Sequence, residues 1–165
     1  MNMNIFLIIT IFFLAIPGVV HAFSVDHVDI SIDEMGNAEV QMNYQANHIE
    51  VGAYSLATVV MDVKNVAKER LEAVFQKTVS VQEISPSSTR FVVQDFAQVE
   101  NETIISPSFE YLDAEMLFDE RLKWIKDALS LDFTPKITKI QFLDGYYESF
   151  ENLDAIPEII HTLMK

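Results

Sequence analysis

Four acidic side chains near the C-terminal end are the residues of this 165-residue chain whose type and spacing suggest chemistry. They are Asp144, Glu148, Glu151 and Asp154, and they surround Gly145. Carboxylate oxygens are ligands that Ca²⁺ prefers, and a turn containing glycine can add backbone carbonyls. The spacing differs from that of an EF-hand loop, whose ligands alternate and close with a glutamate. The cluster therefore predicts a calcium site, with ordinary solvated carboxylates as the alternative.

The other polar residues suggest fewer kinds of metal site or catalytic site. A second acidic cluster consists of Asp26, Asp29, Asp33 and Glu34. The three histidines that follow His21 are His27, His48 and His161; they lie far apart in the chain and lack the close pairing of a zinc-binding helix. There is no cysteine, which excludes disulfides, thiolate metal sites and cysteine nucleophiles. A hydrolase with a carboxylate or Ser/His site stays open, although the Gly-x-Ser-x-Gly elbow is missing.

Two further features suggest recognition rather than catalysis. Tyr146, Tyr147 and Phe150, together with Trp124, provide either an aromatic binding patch or core and cross-strand contacts. Asn101 begins an Asn-Glu-Thr sequence, which is the acceptor pattern for N-glycosylation.

The first 22 residues predict export from the cytoplasm. An apolar run over residues 5–16 is followed by Pro17 and Gly18 and then by Val20-His21-Ala22, a small-x-small cleavage pattern. Residues 1–4 contain no Lys or Arg, so only the α-amine supplies positive charge. A retained membrane anchor is the alternative, but the run is shorter than a spanning helix and is broken by proline. We therefore expect a signal peptide over residues 1–22 and one globular domain over residues 23–165.

Composition narrows the possible partners. The chain carries 11 basic and 25 acidic residues, a formal net charge of −14, and the charged residues all follow the predicted leader. Nucleic-acid binding needs clustered Lys and Arg, so the sequence argues against it and against anionic membrane surfaces. Beyond the leader, no segment is apolar for long enough to span a bilayer. A protein, a glycan, a surface assembly or a cation remains as partner, and the oligomeric state stays open.

The spacing of apolar residues predicts an α+β fold. Alternation indicates strands over residues 28–44 with a turn at Gly36-Asn37, over 78–84 and 89–96, and over 137–143 and 146–150 with a two-residue turn at Asp144-Gly145. Residues 103–111, which are interrupted by Pro107, indicate an edge strand or an irregular loop. Helical spacing covers residues 49–76, where a strand over 54–63 is the alternative, and 113–129. Ile156, Ile159, Ile160 and Leu163 suggest a short final helix. We expect an antiparallel sheet of hairpins with two main helices and the C-terminal helix on one face.

Short segments of the chain resemble uncharacterised exported or envelope proteins of methanogenic archaea. The resemblance is carried by Gly36-x-Ala38-x-Val40, by Asp132-Phe133-Thr134-Pro135 and by Phe142-Leu143-Asp144-Gly145-Tyr146. It implies an envelope or extracellular setting and no catalytic activity.

The sequence therefore favours a non-enzymatic, exported binding or structural module. A secreted hydrolase and a calcium-dependent binding domain are the alternatives. Exposed strand edges near residues 104–111 are the expected place for strand addition by a neighbour.

Overall fold

The computed structural model describes residues 24–60, 62–110 and 134–164. The predicted signal peptide and the predicted helix over residues 113–129, including Trp124, lie outside these ranges. The described elements are β1 (Ser24–Ile32), β2 (Ala38–Gln45), α1 (His48–Val60), α2 (Val63–Phe75), β3 (Val79–Ile84), β4 (Ser88–Val93), β5 (Gln98–Glu100), β6 (Thr103–Ser106), β7 (Phe109–Glu110), β8 (Ile137–Phe142), β9 (Tyr147–Glu151), β10 (Ala155–Ile156) and β11 (Ile159–Thr162). The mixed α+β composition is confirmed.

The largest sheet has six strands in the order β3-β4-β2-β1-β8-β9. All neighbours run antiparallel except β1 and β8, which are parallel with His27 level with Ile137 and Ile32 level with Phe142. An entirely antiparallel sheet was therefore the wrong expectation at this pair. The two strands are far apart in the chain, with β1 ending at Ile32 and β8 beginning at Ile137, and such a separation allows the crossover that a parallel pair requires.

Two loops of this sheet have the same form. Asp33 N donates to Asn37 O and Gly36 N donates to Asp33 O, which closes a three-residue loop between β1 and β2. The loop between β8 and β9 has the same two bonds around Gly145. Both glycines have positive φ, +82° and +88°, as this three-residue loop requires of its last residue. The second turn therefore has three residues, not the two that Asp144-Gly145 suggested.

The helical stripe over residues 49–76 is divided into two helices. Asp62 marks the start of the second helix. Its carboxylate accepts a hydrogen bond from Asn65 N at 3.0 Å and so caps the N-terminus of α2. Gln76 ends α2 in the left-handed conformation, with φ +51°. The alternative of a strand over residues 54–63 is wrong. Among the described residues, no helix is long and apolar enough to cross a membrane.

The core lies on one face of the six-stranded sheet. Its buried members from β1, β2, β4 and β8 alternate along each strand and meet Leu71 of α2. They include Val28, Ile30, Ile32, Ala38, Val40, Phe91, Val93, Ile140 and Phe142. The opposite face carries polar side chains such as Gln41, Lys139 and Ser149. Each fully buried apolar side chain contributes about 1.5–3 kcal/mol, so this face fixes the sheet.

The C-terminal region is extended rather than helical. β11 pairs antiparallel with β6, and β6 also pairs with β5, which gives a three-stranded sheet in the order β11-β6-β5. β10 pairs with β7 in a separate two-stranded sheet. The predicted final helix is wrong, because Ile159 and His161 are buried and alternate with exposed neighbours. The prediction of an edge strand over residues 103–111 is wrong for β6, which is the central strand of its sheet, whereas β7 lies in a two-stranded sheet, where each strand is an edge.

Candidate functional site

The loop between β8 and β9 is tied to the C-terminal strand by one carboxylate. Asp144 Oδ2 lies 2.8 Å from His161 Nε2 and accepts a hydrogen bond from Met164 N at 3.0 Å. Its Oδ1 accepts from Tyr146 N at 3.1 Å. The Asp144 and His161 side chains are only 9% and 10% exposed. The bond from Met164 N, followed by that from His161, lowers the pKa of Asp144 to about 2, so this carboxyl is ionised.

Aromatic rings hold the imidazole of His161 in place. Its ring stacks on Tyr146 with centroids 4.2 Å apart and planes 7° apart. Phe142 lies against it at 4.8 Å. An ionised carboxylate can only accept, so His161 Nε2 is the donor of the bond to Asp144. The hairpin of β8 and β9 and the C-terminal strand are thereby joined by one hydrogen-bonded and stacked unit.

The same hairpin presents large side chains to solvent. Tyr147 is 57% exposed and Leu143 is 60% exposed, and Tyr146 keeps one edge in solvent. Tyr146 Oη donates to Glu148 Oε1 at 3.0 Å, which raises the pKa of the phenol. Lys139 Nζ lies 4.6 Å from the centroid of the Tyr147 ring. Leu143, Tyr146 and Tyr147 are called the hairpin patch below.

Three of the four carboxylates of the predicted calcium site have separate hydrogen-bond partners. Asp144 binds His161, Glu148 accepts from Tyr146, and Asp154 accepts from Thr134 at 3.2 Å. Glu151 lies opposite Ile137 at the end of β9. In the described ranges no three His, Asp or Glu side chains come together as a metal ion would require. Calcium binding at these residues stays a prediction, which calorimetric titration would test.

The second acidic cluster is also dispersed. Asp26 pairs with Lys136, which lowers the pKa of its carboxyl. Asp29 lies 3.0 Å from His27 Nε2 on the polar face of β1. The carboxylate of Asp33 binds the backbone of its own loop; partial burial opposes its ionisation, but bonds led by those from Asn37 lower its pKa. His48 is exposed at the first position of α1.

Asn101 lies in the tight connection between β5 and β6. It is exposed and has φ +57°, a conformation that asparagine tolerates better than most residues. An acceptor for N-glycosylation must be reachable from solvent, and this position meets that requirement.

The described residues also enclose a cavity between α2 and the sheet. It has a volume of about 40 Å³ and is lined by apolar side chains that include Val74, Phe75 and Phe96. Small-molecule pockets typically measure roughly 300–1,000 Å³, so this space is a packing void rather than a ligand site.

Sequence reasoning missed the contact between Asp144 and His161 because 17 positions separate the two residues. No local signal could have found this contact, because Ile159-Ile160-His161-Thr162 does not alternate between apolar and polar residues. Comparisons of the chain with protein-family models, with curated proteins and with solved structures found no match.

Proposed function

We propose that the chain is an exported, non-enzymatic binding module of the cell envelope or extracellular space, and that the hairpin patch contacts the partner. The observation that carries this proposal is that the unit around Asp144 and His161 holds Tyr146 in place, with Leu143 and Tyr147 exposed beside it on the same hairpin.

A side chain that is ordered before binding lowers the free-energy cost of forming a complex. Binding immobilises flexible side chains at about 0.5–1.5 kcal/mol each, and a residue that is already fixed avoids that cost. Tyr146 is fixed by the stack on His161 and by its bond to Glu148. Tyrosines with one wet and one apolar side are also common at the centres of interfaces. Tyr146 is therefore ordered before a partner arrives, and Tyr147 is exposed next to it in the chain, on the opposite face of the hairpin. Both features suit recognition.

The second candidate is a secreted hydrolase, which the 2.8 Å contact between Asp144 and His161 favours. A carboxylate that orients a histidine is one half of a hydrolytic triad. In the described ranges, however, His161 makes no hydrogen bond to a serine or threonine hydroxyl, and its ring faces are covered by Phe142 and Tyr146. The contacts therefore support a positional role better than a proton-transfer role.

Site-specific photo-crosslinking in the native host tests the proposal. A benzophenone amino acid replaces Tyr147 in the full chain, and in a matched control it replaces Met35, which is 72% exposed on the loop between β1 and β2. We expect one dominant extracytoplasmic adduct from position 147 and none at that mass from position 35. Equal or absent adducts at the two positions would contradict a binding role for the hairpin patch.

Two further measurements test export and hydrolase activity independently of partner binding. Intact mass spectrometry of the secreted or envelope-bound protein should give a chain that begins at Phe23; a mass that includes residues 1–22 would contradict cleavage. Turnover of activated esters that disappears in His161→Gln would instead support the hydrolase.

A further inference from the structure

The two edges of the six-stranded sheet differ in how their backbone groups are satisfied. At the β3 edge, side chains from α1 and α2 bind the exposed peptide groups. These contacts are Glu72 Oε1 with Val79 N at 3.2 Å, Lys64 Nζ with Gln82 O at 2.8 Å, and Tyr54 Oη with Ile84 O at 2.7 Å. An edge covered in this way cannot accept another strand.

Among the described residues, no side chain covers the β9 edge in this way. Phe142 N donates to Tyr146 O at one end of the hairpin, and Asn152 N donates to Lys136 O at the other. Hydrogen-bonded pairs alternate in an antiparallel ladder, so Glu148 and Phe150 exchange bonds with β8. The N–H and C=O groups of the other three β9 residues therefore point away from the sheet. These residues are Tyr147, Ser149 and Glu151.

These outward groups are available in the described part of the chain. β9 is the outermost strand, and no hydrogen bond from another described segment reaches the three residues. All three side chains are exposed, whereas Glu148 and Phe150 are half-buried on the other side. β9 contains no proline and no lysine, the residues with which natural sheets often block an open edge.

We infer that the β9 edge accepts an extended, basic segment of a partner protein as a seventh strand, an inference that rests on the proposed binding function. Charge selects the partner. Glu148 and Glu151 lie on opposite faces of β9, and the chain has a net charge of −14, so a basic segment is attracted to both faces of the edge. Lys139, the residue opposite Ser149 on β8, is already placed over the Tyr147 ring.

The register of an antiparallel segment follows from the same alternation. Its first, third and fifth residues lie opposite Glu151, Ser149 and Tyr147, and their N–H groups point towards β9. Its second and fourth residues lie opposite Phe150 and Glu148. A probe with the order Lys-Val-Thr-Lys-Val, flanked by glycines, places a lysine opposite each glutamate and a valine against each aromatic ring.

Fluorescence anisotropy of the labelled probe with the full chain tests this inference. We expect saturable binding that weakens with salt, and N-methylation of the third probe residue should abolish it while N-methylation of the second should not. Ser149→Pro should weaken binding at least about tenfold, because it removes an outward N–H and adds the proline ring. The substitution leaves the β8 ladder intact, so the protein should fold. Glu148→Gln and Glu151→Gln should each weaken binding about twofold to fivefold.

Each result that contradicts the seventh-strand inference leads to a different conclusion. Binding that tolerates Ser149→Pro, or that is lost equally with either N-methylated probe, would overturn the inference. Self-association of the full chain that Ser149→Pro abolishes would assign the edge to a second copy instead. A crosslink at position 147 without probe binding would refute the seventh strand while leaving the proposed binding function in place.

Discussion

The two left-handed glycines provide a matched test of how the loops hold the fold. Both close three-residue loops, and both have φ between +82° and +88°. They differ in their surroundings. A Cβ on Gly36 would lie 2.3 Å from the carbonyl oxygen of Ala97 and 3.2 Å from a methyl group of Val99, whereas a Cβ on Gly145 would meet nothing within 4 Å.

The expected costs follow from this difference. Any L-residue in the left-handed region costs about 1–2 kcal/mol, and the alanine regains about 0.4–1 kcal/mol by restricting the unfolded chain. Gly145→Ala should therefore cost about 1 kcal/mol. Gly36→Ala must also displace the Ala97 carbonyl and disturb the 2.8 Å bond from Ala97 N to Gly36 O, which adds about 1–3 kcal/mol. We expect a total of about 2–4 kcal/mol.

Urea unfolding at neutral pH, followed by circular dichroism, measures both variants. The midpoint should fall further for Gly36→Ala, with the slope unchanged in each case. Equal losses in the two variants would refute the reasoning, because the contact with Ala97 would then contribute nothing. A larger loss for Gly145→Ala would show that the hairpin of β8 and β9 tolerates less than its open surroundings indicate.

Two further predictions concern acid and glycosylation. The pKa of Asp144 falls from 3.8 to about 2 on folding, so its ionised form stabilises the protein above about pH 4, and that stabilisation is lost as the pH falls towards 2. In Asp144→Asn, the free energy of unfolding should fall less steeply between about pH 4 and pH 2 than in the natural chain. Glu158→Gln, which changes an exposed carboxylate, is the control and should keep the natural pH dependence. Identical pH profiles for the two variants would contradict this. In a host that attaches N-glycans, Asn101→Gln should remove one glycoform on gels, and Thr103→Ser should retain it. A single unmodified band for the natural chain would show that the site is not used.

The strands of the six-stranded sheet could be predicted because their core side chains alternate without interruption. Val28, Ile30 and Ile32 are all buried, as period-two spacing requires of one face. The break between α1 and α2 was not predicted from the helical spacing, although the sequence contains a signal for it, since Asp62 is a favourable N-cap inside the apolar stripe. The parallel pair of β1 and β8 was not readable, because no local pattern determines which distant strand becomes the neighbour.

The calcium prediction shows how proximity in sequence differs from proximity on a strand. Glu148 and Glu151 are three positions apart, an odd number, so a strand places them on opposite faces. On a helix the same spacing would have put them on one face. Asp144 is in the loop, where His161 and Met164 bind it. Once residues 147–151 are assigned to a strand, Glu148 and Glu151 need separate partners.

The final strand could not be predicted from its own residues, because its stability is not local. Ile156, Ile159, Ile160 and Leu163 follow helical spacing, and a four-residue strand is too short for alternation to compete with that signal. In the structure, β11 gains its ladder from β6, and His161 gains its partner from the loop between β8 and β9. Ile160 is left 65% exposed, which a helix buried through its apolar stripe would not allow. The buried histidine is therefore what decides the conformation of this segment, since only the extended form brings its ring to Asp144 and Tyr146 while Ile159 stays in the core.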